Sequence, residues 1–300
     1  MPSAAAAVVA AGTSYGLTRY AVGRRTAHPS RWTRLNHAGE PVTLGGGPAA
    51  VIGVLAGLVL AKVVTNDSSD GVSRVVPDHF RHRERQGYGP VALAVLGAGA
   101  VGLVDDLVEG EQAKGFRGHL GALRHGRLTT GMIKIAGVGL TALASCTWVA
   151  VRRPGGGRVV DVVLDTVLVA GAANLTNLLD LRPGRAGKVV AVTALALSRR
   201  GGAPILGAVV GALPADLAGQ AMLGDSGANG LGAAVATVAV RRLSQRGRLL
   251  ALIVVAGLNV ASERVSFSVV IDATPVLRRL DQVGRPPVVA DPATTTEDPG

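Results

Sequence analysis

The sequence has little cysteine, which stabilises small secreted domains, and few charged residues, which cover the surface of soluble domains. It contains a single cysteine, Cys146, so neither a disulfide framework nor a cysteine-based zinc site can form within the chain. Only 3% of its 300 residues are aromatic and 17% are charged, whereas roughly a quarter are charged in a typical soluble domain. No long block of like charge occurs, and 48% of the residues are hydrophobic, which excludes a disordered chain.

Long uncharged runs are what the sequence has instead. Four of them, 1–18, 41–61, 86–104 and 135–151, contain 17 to 21 residues, close to the roughly 20 that a membrane-spanning helix needs. Five shorter runs follow at 166–179, 189–198, 201–215, 226–240 and 249–262. These runs predict an all-α polytopic membrane protein with about nine transmembrane helices in residues 1–284 and a disordered tail at 285–300. Because no basic residue precedes the first run, we expect it to be a helix rather than a cleaved signal peptide.

The positive charge of the chain does not orient it in a membrane. The net charge of +11 comes from short clusters between the uncharged runs, which favours loops at a membrane surface over a nucleic-acid interface. With nine spans, the loops on one side hold 16 Lys and Arg and those on the other hold 14. The positive-inside rule therefore gives almost no preference.

Paired carboxylates form the first of several polar motifs, all of which fall on one predicted side. Asp105 and Asp106 end the third apolar run. Adjacent carboxylates raise each other's pKa unless a cation lies between them, and Mg²⁺ binds one or two carboxylates together with substrate phosphates. The pair indicates a magnesium site, and a solvated acidic helix end is an equally good interpretation.

Two further motifs stand at the ends of apolar runs. Asn174, Asn177 and Asp180 are spaced by three and share one helix face, which suits a polar ligand. For the asparagines alone, an interhelical contact or a helix cap is the favoured interpretation. Asp225, flanked by glycines, opens the next apolar run, either as a helix N-cap or as a metal ligand beside a phosphate at the helix N-terminus.

The remaining two motifs are a glycine-rich loop and a basic segment. The loop at 36–48 contains Thr43, and its backbone N–H groups suit an anion. A flexible loop is the favoured interpretation unless the other motifs support a phosphate site. Lys114, Arg117 and Lys134 follow the aspartate pair. They suit the neutralisation of phosphates, and a basic loop at lipid headgroups is equally plausible.

Taken in order, these motifs resemble those of the polyprenyl-phosphate N-acetylhexosamine-1-phosphate transferases over residues 36–233. This superfamily includes phospho-N-acetylmuramoyl-pentapeptide transferase and the UDP-GlcNAc undecaprenyl-phosphate transferases. The family's Gly-rich loop matches residues 41–46, and its aspartate pair matches Asp105 and Asp106. Its Asn-x-x-Asn-x-x-Asp element matches residues 174–180, and its Gly-Asp-x-Gly element matches residues 224–227.

The resemblance implies the transfer of a sugar-1-phosphate from a UDP-sugar to a polyprenyl phosphate, with release of UMP, in the synthesis of cell-envelope polysaccharide or peptidoglycan precursors. It implies that Asp105, Asp106 and Asp225 are catalytic and bind Mg²⁺, with Mn²⁺ as the alternative. Substrate-binding roles are expected for Thr43, Lys114, Arg117, Lys134, Asn174, Asn177, Asp180 and Arg264. It also implies a site on the cytoplasmic face of the plasma membrane and no nucleic-acid partner. It is compatible with a homodimer.

The chain departs from the family pattern at two places. Leu181 and Pro183 replace the family's Gly and second Asp after the Asn-x-x-Asn-x-x-Asp element. No histidine follows His125, and the segment expected to hold a His-rich loop contains Arg264. Three interpretations remain: the sugar nucleotide differs, Arg264 replaces the histidines, or activity has lapsed in a protein that binds polyprenyl phosphate or scaffolds envelope assembly. A transporter is disfavoured, because Arg19 is nearly alone as a charge within a span.

Overall fold

The structure is a computed structural model that describes residues 2–25, 30–35, 39–71, 87–108, 130–153 and 155–286. Within these residues there are eleven helices and one small sheet. The helices are α1 (Pro2–Arg24), α2 (Gly46–Gly71), α3 (Gly89–Leu107), α4 (Thr130–Val151), α5 (Val159–Leu179), α6 (Arg185–Ala196), α7 (Ala203–Leu217), α8 (Gly224–Arg242), α9 (Gln245–Ser262), α10 (Phe267–Ala273) and α11 (Pro275–Gln282). The antiparallel strands β1 (Thr33–Leu35) and β2 (Pro41–Thr43) were not part of the all-α prediction.

Four of the described helices are long and apolar enough to cross a membrane. They are Gly46–Val64 within α2, and the whole of α3, α4 and α5. A fifth would be formed by α9 and α10 together, which are bent by 95° at the break between them. The chain is therefore a helical membrane protein, as predicted, although the number of helices that meet these criteria is smaller than nine.

Helix α8 forms the centre of the bundle. It packs against α2, α3, α4, α5, α6 and α7, and nearly all of its length is buried. Its composition of Gly, Ala and small polar residues, including buried Ser226, Asn229 and Thr237, makes it less apolar than the four spanning helices. This is the expected pattern for a helix that faces protein on every side, since small residues let neighbouring backbones approach closely.

Two hydrophobic clusters meet at α3 and α8. One cluster joins these helices to α2, α6 and α7, with Val54, Leu231 and Ile205 fully buried. The other joins them to α4 and α5 through Leu168, Val169 and neighbouring small residues. The clusters hold the helix ends in fixed positions relative to one another, which positions the polar residues described below.

The two ends of the bundle differ in chemistry. The end of the bundle at which α3 and α5 finish and α4 and α8 begin is called the aspartate end. The opposite end, at which α4 and α8 finish and α5 and α9 begin, is called the arginine end. A hydrogen bond from Arg153 near the end of α4 to the carbonyl of Val240 near the end of α8, at 2.9 Å, fixes the arginine end. The contact between Gly102 and Asp225 fixes the aspartate end.

The described chain extends slightly past the predicted start of the tail at residue 285. The Nε of Arg285 donates to the carbonyl of Pro183 at 2.9 Å, and its Nη2 donates to Asp281 at 2.9 Å. Residues 287–300 of the predicted tail lie outside the described residues.

Candidate functional site at the aspartate end

Asp106 binds the N-terminus of α8. Its Oδ1 accepts a hydrogen bond from the backbone N–H of Asp225 at 3.0 Å, and its Oδ2 accepts one from Ser226 at 2.9 Å. Anionic groups are favoured at helix N-termini, where backbone N–H groups have no partner within the helix. The cap of α8 therefore comes from another helix, which leaves the carboxylate of Asp225 for other contacts.

Asp105 and Asp225 share the ammonium group of Lys134. The Nζ of Lys134 lies 3.1 Å from Oδ2 of Asp105 and also contacts Oδ2 of Asp225. All three side chains are largely buried, with exposed fractions between 16% and 22%. Two carboxylates from different helices thus face one position for a positive charge, and Lys134 provides that charge.

Glycine is required where α3 meets the start of α8. A Cβ atom at Gly102 would collide with the carbonyl group of Asp225, and one at Gly47 would collide with the carbonyl oxygen of Leu223. Gly224 has a φ of +57°, in the left-handed region that glycine adopts without strain. These glycines allow the Asp225 turn to lie directly against α2 and α3.

The glycine-rich loop is bonded to the segment before α8. The backbone N–H of Thr43 donates to the carbonyl of Gln220 at 3.2 Å, and that of Met222 donates to the carbonyl of Thr43 at 3.0 Å. The buried Oγ1 of Thr43 accepts from the N–H of Gly45 at 3.2 Å. The described part of this loop is therefore a hydrogen-bonded turn beside Asp225; Asn36 and His37 lie outside the described residues.

Asp180 reaches the same end from α5. It accepts a hydrogen bond from the N–H of Gly224. Burial raises the pKa of Asp180 well above its ordinary range, and the nearby carboxylate of Asp216 raises this pKa further, whereas the N–H of Gly224 lowers it. One oxygen of Asp180 and one of Asp216 are buried without a hydrogen-bond partner in the part of the chain that the structure describes. Burial thus favours the protonated form of Asp180, which lies near the carboxyl group of Asp216.

The other predicted ligand-binding residues divide into three groups. The Nδ2 of Asn174 donates to Oδ1 of Asn259 on α9 at 2.7 Å, so Asn174 makes the interhelical contact that was its favoured interpretation. Asn177 is half-buried one turn before Asp180, and Arg264 is exposed on the turn between α9 and α10. Lys114 and Arg117 lie outside the described residues.

Two residues at this end were not identified from the sequence. The Nη2 of Arg34 donates to the backbone carbonyl of Asp106 at 2.7 Å. Arg34 belongs to a loop with several other arginines, and nothing in its spacing distinguishes it. Asp216 ends the apolar run 201–215, and a lone carboxylate at the edge of such a run is a signal that could have found it.

The donor set partly fits a magnesium ion. Among the described residues, no group of three or more His, Cys, Asp or Glu side chains has the arrangement of a metal site. Asp105 and Asp225 nevertheless supply two carboxylates around one cation position, and Mg²⁺ commonly binds through one or two carboxylates plus substrate phosphates. Both oxygens of Asp106 already accept N–H groups, so the structure favours Asp105 and Asp225 over Asp106 as direct ligands.

The fold and the site together define a helical membrane protein with an acidic cluster at one end of its bundle. Comparison of the sequence with protein-family models and with curated proteins gave no match. The likeness to the polyprenyl-phosphate transferases therefore depends on the order and spacing of the motifs themselves.

Proposed function

We propose that the protein transfers a sugar-1-phosphate from a UDP-sugar to a polyprenyl phosphate and releases UMP. The observation that carries this proposal is the meeting of separate chain segments at the aspartate end. Asp105 and Asp106 from α3, Lys134 from α4, Asp180 from α5 and Asp225 from α8 lie together. Carboxylates and a lysine at the edge of a membrane suit a substrate with two phosphates whose acceptor is embedded in lipid.

The reaction exchanges one phosphoanhydride bond for another. An oxygen of the polyprenyl phosphate attacks the phosphorus that bears the sugar, and the bond from that phosphorus to the oxygen of UMP breaks. The products are a lipid-linked sugar diphosphate and UMP, and no oxidant or further reactant is needed. The main catalytic requirement is neutralisation of charge on the phosphate oxygens and alignment of the two phosphates.

Residues at the aspartate end meet this requirement in different ways. Asp105 and Asp225 would hold Mg²⁺ or Mn²⁺, which supplies positive charge to the diphosphate when bound. Lys134, released from the two carboxylates, would pair with a phosphate oxygen. Asp106 positions the Asp225 turn by binding the N-terminus of α8.

The nucleoside is assigned to the side of the cluster formed by α5. A protonated Asp180 can donate a hydrogen bond as well as accept one, and Asn177 lies one turn before it on the same helix. Lys114, Arg117 and Arg264 are proposed to offset phosphate charge from the surrounding loops, and the backbone around Thr43 is proposed to bind an anion.

We further propose that α1 to α9 each cross the plasma membrane and that the aspartate end faces the cytoplasm. Successive helices alternate in direction between the two ends, which supports nine crossings. UDP-sugars are made in the cytoplasm, so a site that uses them must open to that side.

The proposal predicts magnesium-dependent UMP release by the purified protein with polyprenyl phosphate and one member of a panel of UDP-sugars. Asp105→Asn should lower the rate at least about 100-fold, because a ligand to the ion that stabilises transferring charge is lost. Asp161→Asn, which removes a carboxylate at the arginine end, should leave the rate within about twofold, and is the matched control. A normal rate in the purified, folded Asp105→Asn variant would contradict the assignment.

The alternative is a protein that binds polyprenyl phosphate without turnover. The observation that favours it is the contact of Lys134 with both Asp105 and Asp225, which satisfies the two carboxylates without a metal ion. This alternative predicts binding of polyprenyl phosphate together with no UMP release from any donor in the panel.

A further inference from the structure

The arginine end carries a strong excess of positive charge that the proposed transferase site does not use. The turn between α4 and α5 contains Arg152, Arg153 and Arg158, and the end of α8 and the first turn of α9 contain Arg241, Arg242, Arg246 and Arg248. Asp161 and Asp165 are the acidic residues that the start of α5 adds to these two turns. At the aspartate end, by contrast, basic residues stand beside several carboxylates.

The buried carboxylate of Asp165, which lies beside these arginines, is already ion-paired within the protein. Asp165 is 3% exposed. It accepts a hydrogen bond from Arg153 at 3.1 Å and also contacts Arg248. This ion-paired centre joins the two arginine-bearing segments into one continuous surface.

Two guanidinium groups of this surface have donors that are not used. The Nε atoms of Arg242 and Arg248 are buried and have no hydrogen-bond partner in the part of the chain that the structure describes. A buried donor without an acceptor costs free energy, and native structures rarely leave one unsatisfied. An external group with several acceptor oxygens would satisfy them.

Aromatic side chains lie beside the arginines, as is typical of a surface at the level of lipid headgroups. The guanidinium of Arg152 lies 5.5 Å from the centre of the Trp148 ring, and Trp148 is 38% exposed. The Trp148 ring packs against Gly89 at the start of α3, next to Tyr88. Trp and Tyr side chains are enriched at the membrane–water interface, and clusters of basic residues near an anionic membrane surface attract its headgroups.

We propose that the arginine end binds the headgroups of anionic phospholipids. Arg152 and Arg242 contribute charge from the two turns, and the unused Nε donors of Arg242 and Arg248 bind phosphate oxygens. The lipid is a structural partner that holds the ends of α4 and α8 together, at the opposite end of the bundle from the proposed transferase site.

The test is a titration of the purified full-length protein in neutral detergent with phosphatidylglycerol or phosphatidylcholine, followed by thermal unfolding. Phosphatidylglycerol should raise the Tm and phosphatidylcholine should not, and the effect should weaken with added salt. The double variant Arg152→Gln/Arg242→Gln should raise the half-saturating phosphatidylglycerol concentration about 30-fold, since each basic residue near an anionic surface contributes a factor of roughly five. If that variant does not fold, Arg158→Gln/Arg246→Gln, at two exposed arginines, should give a smaller increase.

The matched control is Arg278→Gln/Arg279→Gln, which removes the same charge from exposed positions at the aspartate end. It should change the half-saturating concentration less than about threefold. Equal stabilisation by the two lipids would overturn the proposal. It would also be overturned if Arg152→Gln/Arg242→Gln and the control Arg278→Gln/Arg279→Gln changed the half-saturating phosphatidylglycerol concentration equally. Stabilisation by inorganic phosphate alone at the same concentration would show that the surface binds a free anion, and would overturn the proposal of a lipid ligand.

Discussion

Asp180 shows how burial can set the protonation state of a single residue at the proposed site. Its carboxyl group lies beside Asp216, and burial raises its pKa, so that folding favours the protonated form. A group whose pKa is higher in the folded state stabilises the protein at low pH, and that contribution is lost as the pH rises through the folded pKa. The stability of the wild-type protein should therefore fall between the ordinary pKa of an aspartate and the raised one.

The variant Asp180→Asn removes this titration while it keeps a hydrogen-bonding group of the same shape. We expect it to raise the Tm relative to wild type, and to raise it more at pH 8 than at pH 5, because the loss of stability in the wild-type protein grows as the pH rises towards the folded pKa. Thermal unfolding in detergent at the two pH values measures the difference. An identical Tm difference at pH 5 and pH 8 would show that folding does not raise the pKa of Asp180.

At the level of residues, the sequence identified which polar groups are unusual but not how they are bonded. Asp105, Asp106, Asp180 and Asp225 stand out because carboxylates are rare at the ends of apolar runs. The bonds from Asp106 to the N–H groups of Asp225 and Ser226 join positions about 120 residues apart, and no local pattern encodes them. Asn174 shares a helix face with Asp180, yet it contacts α9, because the face of a helix can meet different neighbours at each turn.

The contact between α3 and α8 depends on a helix-interior glycine. Gly102 lies against the carbonyl group of Asp225, and an added methyl group has no room there. The variant Gly102→Ala should lower the free energy of unfolding by about 1–3 kcal/mol, the usual cost of overpacking. It should also reduce UMP release, because α8 and Asp225 would move away from Asp105.

Gly139→Ala is the matched control for that prediction, since Gly139 lies within α4 and has open space where a Cβ would be placed. This variant should be as stable as wild type or slightly more stable. If the two alanine variants have the same Tm and the same rate of UMP release, the close approach of α3 to Asp225 does not position the site.

At the level of elements, the uncharged runs predicted helices, whereas the two short strands were not predicted. The uncharged runs 86–104 and 135–151 correspond to α3 and α4 within a few residues. The strands β1 and β2 have three residues each, too few to produce an alternating pattern. They form because the loop before α2 pairs with itself and with the segment before α8, which is a tertiary contact.

At the level of the whole molecule, the sequence located the polar motifs on one side only through the assumption of nine crossings. Counting Lys and Arg could not orient the chain, because basic residues occur at both ends of the bundle. Carboxylates of the described residues are distributed differently: Asp105, Asp106, Asp180, Asp216 and Asp225 lie at the aspartate end, whereas Asp161 and Asp165 lie beside the arginines of the other end, at the start of α5. We propose that this separation gives the two ends different ligands, a cation with phosphates at one and lipid phosphate at the other.

The most direct test of the cation site is the binding of Mn²⁺ to the purified protein in the presence of a UDP-sugar. Bound Mn²⁺ is measured as the loss of the electron paramagnetic resonance signal of the free ion. Mn²⁺ accepts the same carboxylate and phosphate oxygens as Mg²⁺. If Asp105 and Asp225 form the site, the wild-type protein and Asp161→Asn bind one ion per chain, and Asp105→Asn and Asp225→Asn do not. Equal binding by all four proteins, or none by the wild type, would contradict the assignment of these two aspartates.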